Sequence, residues 1–382
     1  MSATGFGIPR GAILFEADGV QYEFLEDLGE VQSEVRLFVG RRRIAGRPKN
    51  KVLIKAVGLS GAPQMSRVMR ARAKLDGQVR LAKYLDHPGI HRVHGLKKVE
   101  GTWYVIAEFP SGNSLSTLLN LVSECRHWYT PLFAMYIGAR VADVLAYAHA
   151  AKDEQGRPLN IVHRAIDADH VFLDWDGAVR ISDFGLALST LPGRVPSTVR
   201  RLYGDGFYAS PEVLLGKRAG AHMDLFSLGV LMLELATGKN LLYAPDEVTE
   251  EVKASLSPPQ LRRVKRAIER AQLSGCSPLL EDAIWRVATY TEADVERLTA
   301  SLSEGLRMTL RKLLHPVQGE RYPTAAELVE DLRRWLGGLT FSPADAIAEL
   351  NSVMDEAAKH LAGKELETLP SSRRPLDALT TA

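Results

Sequence analysis

Seven short groups of residues, in a fixed order along the chain, carry the side chains with chemistry to offer. They are Val52-Leu53-Ile54-Lys55, His87-Pro88, His163-Arg164, Asp183-Phe184-Gly185, Ser210-Pro211-Glu212, Asp224 and Arg321. The set supplies a cation at the end of an apolar run, carboxylates of the kind that suit a hard, oxygen-seeking cation, and a His-Arg pair. None is diagnostic alone, and an isolated Asp-Phe-Gly carries little weight. The signal lies in their order and spacing. Cys125 and Cys276 lie far apart, with neither a metal-ligand spacing nor a disulfide framework, and read as buried free thiols suited to a reducing cytoplasm.

From about residue 20 to 340 the series is similar to the serine/threonine protein-kinase family. The resemblance implies an α+β, bilobal fold with a small β-rich N-terminal lobe and a larger α-helical C-terminal lobe. It makes several residues architectural. His163 would join a buried spine with Phe184, next to Gly185 in the Asp-Phe-Gly turn; Asp224 would hold the backbone at His163-Arg164; Glu212 would pair with Arg321. Lys55, Asp183, Gly29 and Glu108 become the nucleotide-binding candidates, with Asp183 as the candidate magnesium residue. No cofactor is certain from the sequence, and ATP and magnesium are the ones these residues would hold.

Phosphoryl transfer rests on positioning and charge neutralisation, and at those positions the chain departs from the family. Ala165 stands where the family has the Asp that acts as base. Asp167 replaces the Lys that steadies the transferring phosphate, which puts an anion where negative charge develops. His170 replaces the metal-binding Asn, and imidazole is a poor ligand for magnesium. Asp205 replaces the Thr that braces the catalytic Asp and Lys. In the small lobe Gln78 falls where a helix Glu pairs with the strand Lys, so Lys55 is expected to lack that partner; Asp76 faces elsewhere. Of the glycine-rich loop only Gly29 survives in Leu28-Gly29-Glu30-Val31-Gln32-Ser33-Glu34-Val35, a segment that reads as one residue short. Bulky Leu53 and Phe172, and Pro110 without an N–H, make the adenine end less suited to ATP.

The resemblance with these losses implies a pseudokinase: a catalytically inactive regulator or scaffold that binds a protein partner, such as an active kinase or another signalling component. Two alternatives are a weak or atypical ATP-dependent kinase using Asp167, Asp169 or Asp183 in altered roles, and a nucleotide-sensing switch without turnover. Ser189, Thr190, Ser197 and Thr198 fall in the activation-segment region.

The elements that must position these residues follow from patterning. Alternating apolar positions around an Asp18-Gly19 turn predict an opening hairpin, a helical stretch follows at about 63–85, and helices dominate from Leu115. We divide the chain into an N-terminal extension and strand (1–19), a small lobe (20–110), a large lobe (111–340) with an enlarged insert at about 243–300, and a C-terminal helix with a loose tail (341–382). In the insert, Arg262, Arg263, Lys265 and Arg266 surround an apolar stripe and read as a solvated face. The last helix is expected to bury Ile347, Leu350, Met354 and Leu361 against the large lobe. With 48 Lys+Arg against 46 Asp+Glu, the net charge of +2 favours neither nucleic acid nor an anionic membrane. Met1 to Arg10 does not resemble a signal peptide, lacking a basic start followed by an apolar stretch, and the apolar run at 226–236 is too short to span a bilayer. A cytoplasmic protein is the expectation.

Overall fold

The computed structural model describes residues 8–368 apart from 33, 59–64, 126, 195–204, 217–219, 244–247, 274–278 and 338–340. The opening strand signals become β1 (Ile13–Ala17), β2 (Val20–Gln32), β3 (Val35–Ile44) and β4 (Arg47–Val57). After α1 (Met65–Ala82) come β5 (Val93–Val99) and β6 (Thr102–Glu108). All six strands form one antiparallel sheet in the order β1-β2-β3-β4-β6-β5. Asp18 and Gly19 turn the first hairpin with φ of 52° and 72°, as a two-residue turn between right-twisted strands requires. The division at residue 19 is therefore corrected. β1 is the edge strand of the small-lobe sheet, because Phe15 stacks on Tyr22 and Tyr104 with ring centroids 4.5 and 3.9 Å apart. Helix α1 packs on the sheet through Val68, Ala71 and Leu75, which meet Val57 and Val105.

The large lobe begins with β7 (Asn113–Ser114), α2 (Leu115–Cys125) and α3 (Pro131–Ala150), then β8 (Val171–Leu173) and β9 (Val179–Ile181). Short α4 (Pro211–Leu214) and α5 (His222–Thr237) follow, then α6 (Glu250–Ala254), α7 (Pro258–Leu273), α8 (Leu279–Thr289), α9 (Glu292–Thr299) and α10 (Glu304–Leu313). The series closes with α11 (Ala325–Leu336) and α12 (Pro343–Thr368). Thr130 caps α3, its hydroxyl accepting from the Phe133 N–H, with Pro131 at the first helical position. By length and composition α3 is apolar enough to cross a membrane. Instead its Phe133, Ile137, Val141 and Leu145 are buried, and the helix lies between α11 and α5 as the axis of the lobe. Helix α5 is buried almost all round, in keeping with its largely apolar sequence.

In the insert, α7 buries Val264, Ala267 and Ile268, while Arg262, Arg263, Lys265 and Arg266 are exposed. Cys276, Ser197, Thr198 and the tail beyond 368 lie outside the described residues. Helix α12 docks on α2 and α3 of its own chain, with Leu350 buried and Ile347 partly buried against the core as expected, but with Met354 and Leu361 turned outward. Ala346, Leu350, Val353 and Ala357 are buried, whereas Met354 and Leu361 are 38% and 51% exposed. Ala346 and Ala357 share the seam with Leu350 and Val353. Glu349 lies at the same seam, its carboxylate accepting from the Thr130 N–H at 2.6 Å and hydroxyl at 2.8 Å.

Candidate functional site

A cavity of about 1020 Å³ lies between the small-lobe sheet and the large lobe, lined by Lys55, Gln78, Glu108, His170 and Asp183 among the residues singled out by the sequence. The His163-Arg164 segment is organised by Asp224. That carboxylate is fully buried and accepts from the N–H groups of His163 and Arg164, both at 2.8 Å, and from His149 Nε2 at 2.9 Å. Burial alone would raise its pKa, but the His149 hydrogen bond and the backbone donors outweigh it and hold the group below the usual range. The ionised Asp224 thereby fixes Arg164 at a φ of 71°, a left-handed conformation that side chains other than glycine seldom adopt. His163 is kept neutral by burial. Its Nε2–H donates to the Ser182 carbonyl at 2.8 Å, and its ring meets Phe184 edge-on at 4.6 Å. Elsewhere in the lobe Arg321 Nη1 donates to Glu212 at 3.1 Å, both side chains buried.

Ala165 contributes a buried methyl group and no proton acceptor. Next to it the structure corrects the reading of Asp167 and His170 as two separate losses. His170 Nδ1 donates to Asp167 Oδ1 at 2.6 Å, and the same oxygen accepts from the Asp169 and His170 N–H groups at 3.0 and 3.1 Å. Asp167 Oδ2 accepts from the Asp205 N–H at 3.0 Å. Burial of this 2%-exposed carboxylate opposes its charge, yet the hydrogen bond and charge of His170 keep its pKa low. Burial likewise opposes the imidazolium, and Asp167 overrides it, raising the His170 pKa. The result is an ion pair. Asp167 does not present an uncompensated anion to the cleft, because a cation three residues away neutralises it. Asp205 starts a 3₁₀ turn, its side chain accepting from the Phe207 N–H at 3.0 Å, and its pKa is raised by burial and by Asp167.

Lys55 is paired not with the α1 position that Gln78 occupies but with the Asp-Phe-Gly turn. Its Nζ lies 2.6 Å from Asp183 Oδ1, in the turn before Phe184. Asp183 takes a left-handed conformation with φ 59° and ψ 53°, and its side chain accepts from the Gly185 N–H. Burial would raise its pKa, but Lys55 and His170 hold it low. Gln78 packs on the same turn. A Cβ added at Gly185 would come within 2.7 Å of the Gln78 amide, so the absence of a side chain there permits the contact. Asp76 points away, toward Arg80 at 3.9 Å.

These residues do not fit a magnesium ion. Of the candidate residues lining the cavity, Asp183 is engaged by Lys55 and Glu108 by Arg180, while His170 is engaged by Asp167. Among the described residues no cluster of three His, Cys, Asp or Glu side chains could hold a metal. Gly29 has a φ of 89°, and its N–H donates to Asp27 Oδ1 at 2.9 Å. Glu108 lines the cavity and accepts from Arg180 Nη1 at 3.0 Å and from the Arg92 N–H at 3.1 Å.

Leu53, Phe172 and Pro110 all line the cavity. Two further residues there were missed by sequence reasoning. Ala107 faces Leu53 across the β4–β6 pair, and His91 sits deep in the wall with its ring edge-on to Phe172 at 5.2 Å. A polar residue directly after buried Ile90 was the available signal for His91.

Two lobes joined at such a cleft, with a buried aspartate organising a His-Arg segment, define a kinase-like domain. The sequence profile of the protein kinase domain matches residues 46–332, and the chain belongs to that family. Among curated relatives, a tyrosine-protein kinase, MasK of Myxococcus xanthus, is 36% identical over 163 residues, covering 42% of this chain and 25% of that protein. The serine/threonine-protein kinase kin-29 of Caenorhabditis elegans is 26% identical over 340 residues, 87% of this chain and 31% of that protein. The receptor-like cytosolic serine/threonine-protein kinase RBK1 of Arabidopsis thaliana is 27% identical over 245 residues, 63% and 48% respectively. The chain thus matches a quarter to about half the length of these relatives.

Proposed function

We propose that the chain is a pseudokinase: a kinase-shaped regulator or scaffold that acts by binding a protein partner in the cytoplasm, an active kinase or another signalling component, and not by transferring phosphate. The observation that carries this is the state of the segment at 165–170. The position of the base is a methyl group, and the two positions that would meet phosphate and metal are locked to each other as the Asp167–His170 pair. Loss of a positioned base alone costs about 10²–10⁴ in rate. Here the cation for the phosphate and an oxygen ligand for the metal are missing as well, so one compensation would not restore the chemistry. What the fold retains is its shape, held by Asp224, His163 and the Glu212–Arg321 pair. A net charge of +2 argues for a protein partner over nucleic acid or membrane.

The test is incubation of the purified chain with labelled ATP, magnesium or manganese, and a generic basic substrate. Incorporation no greater than that of a Lys55→Ala variant is expected. Clear labelling that disappears on Asp183→Ala would overturn the reading.

A further inference from the structure

Helix α7 breaks local rules that the other helices of its insert keep. It opens on Pro258 and Pro259 with no acidic residue in its first turn, whereas α6, α8 and α9 begin with Glu250 and Glu251, Glu281 and Asp282, and Glu292 and Asp294. Acids suit the positive end of a helix and cations oppose it. Here Arg262 and Arg263 stand in the second turn, followed by Lys265, Arg266 and Arg270, and the helix has a single acid, Glu269. Arg262 with Arg266 and Arg266 with Arg270 are like charges four positions apart, a spacing at which repulsion weakens a helix. Arg262, Arg263, Lys265 and Arg266 are all exposed, and none of the four makes an ion pair among the described residues. Departures from local preference with no compensating contact mark functional surfaces.

The helix is fixed to the lobe by its other side. Val264, Ala267 and Ile268 are buried in the core and α7 packs on α8, while the Arg270 guanidinium lies over Gly216 just after α4. Its apolar side is therefore used, and between Arg262 and Arg270 no exposed side chain is apolar or aromatic. A membrane surface needs an apolar face to insert, and single-stranded nucleic acid needs rings on which bases stack, so this face suits neither. Carboxylates suit it well. Four of the five cations are arginines, whose planar guanidinium takes a carboxylate by two parallel hydrogen bonds. Arg262, Arg266 and Arg270 recur about every 6 Å along the helix axis. An extended segment presents alternate side chains about 6.7 Å apart, so acids at every second position can follow that row.

We propose that the outer face of α7 is a docking surface for an acidic segment of a protein partner, whose carboxylates pair with Arg262, Arg266 and Arg270 and are flanked by Arg263 and Lys265. This rests on the scaffold reading, to which it adds the chemistry of the partner. The full chain is titrated by fluorescence anisotropy with a labelled peptide of alternating Glu and Ser, with its Gln and Ser counterpart, with phosphatidylserine vesicles and with single-stranded RNA. Saturable binding of the acidic peptide is expected, and it weakens as salt is raised. The double variant Arg262→Glu, Arg266→Glu should bind it about tenfold more weakly. Reversal of two exposed cations elsewhere, Arg47→Glu with Lys49→Glu, changes the net charge equally and should stay within about twofold. Both variants alter exposed side chains, and unchanged melting verifies that they fold. No saturable binding of the acidic peptide would overturn the proposal, as would equal loss in the two variants, the result expected of general charge attraction. Tighter binding of vesicles or RNA, lost in the α7 variant, would overturn it in favour of a lipid or nucleic-acid surface. If the peptide fails while labelled phosphate is still not transferred, this inference falls and the scaffold reading stands; transfer of label counts against that reading instead.

Discussion

Asp167 and His170 show why neighbouring substitutions are better judged together. Either alone at this depth would be unfavourable: a buried carboxylate without a cation, or a buried imidazolium without an anion. Together they make a 2.6 Å pair that also ties the segment to Asp205. His170→Asn should therefore destabilise the chain by about 2 kcal/mol, because Asp167 loses a charged hydrogen-bond partner. A denaturant-unfolding double-mutant cycle with Asp167→Ala should then show coupling between the two positions. The pair also sets a pH dependence. Because the folded pKa of His170 is raised above its ordinary 6.5, the stability it adds is fully present below 6.5 and is lost as pH rises through the folded value. Because that of Asp167 is lowered below its ordinary 3.8, its share is present above 3.8 and is lost as pH falls through the folded value. The stability gap between wild type and His170→Gln should hence shrink as the pH is taken from about 6 to about 9. A gap that stays constant over that range would show that the pair is not ionic.

At the scale of elements, α12 is the clearest case of a helix whose existence was fully legible and whose orientation was only partly so. The Ser342-Pro343-Ala344-Asp345 start was readable, and the cap forms: the Ser342 N–H and hydroxyl donate to the Asp345 carboxylate, and the Asp345 N–H donates back to the Ser342 hydroxyl. Leu350 packs as expected, whereas Ala346, Val353 and Ala357 take the places that Met354 and Leu361 were expected to fill. Glu349 accepts from Thr130 at the start of α3, a contact between distant parts of the chain that the helix pattern alone does not reveal. Deleting residues 341–382 should lower the melting temperature of the isolated chain, since Leu350 and Val353 leave a buried seam. Leu350→Ala alone should cost about 2–5 kcal/mol. Unchanged melting after truncation, with loss of a partner in a pull-down, would make this helix a recruitment element rather than an internal brace. The opening hairpin was legible for a simpler reason: Asp18-Gly19 supplies the two positive-φ residues its turn requires.

Over the whole molecule, the two-lobed plan was legible because each motif meets a local backbone need, such as the left-handed residues at Arg164 and Asp183 or the Glu212–Arg321 bond. The pairing inside the cleft was less so. Lys55 and Asp183 are 128 positions apart, and only the folded chain reveals that the carboxylate replaces the helix glutamate as the lysine's partner. The central claim is that Ala165, Asp167 and His170 have lost function as one unit, so that repairing one member restores nothing. Labelled-phosphate transfer at a fixed pH, measured side by side for wild type, Ala165→Asp and Lys55→Ala, tests it most directly. The account predicts that neither the wild type nor Ala165→Asp rises above Lys55→Ala, because Asp167 and His170 remain bound to each other in both. Transfer by the wild type, or turnover by Ala165→Asp in the usual kinase range of about 1–100 per second, would contradict it.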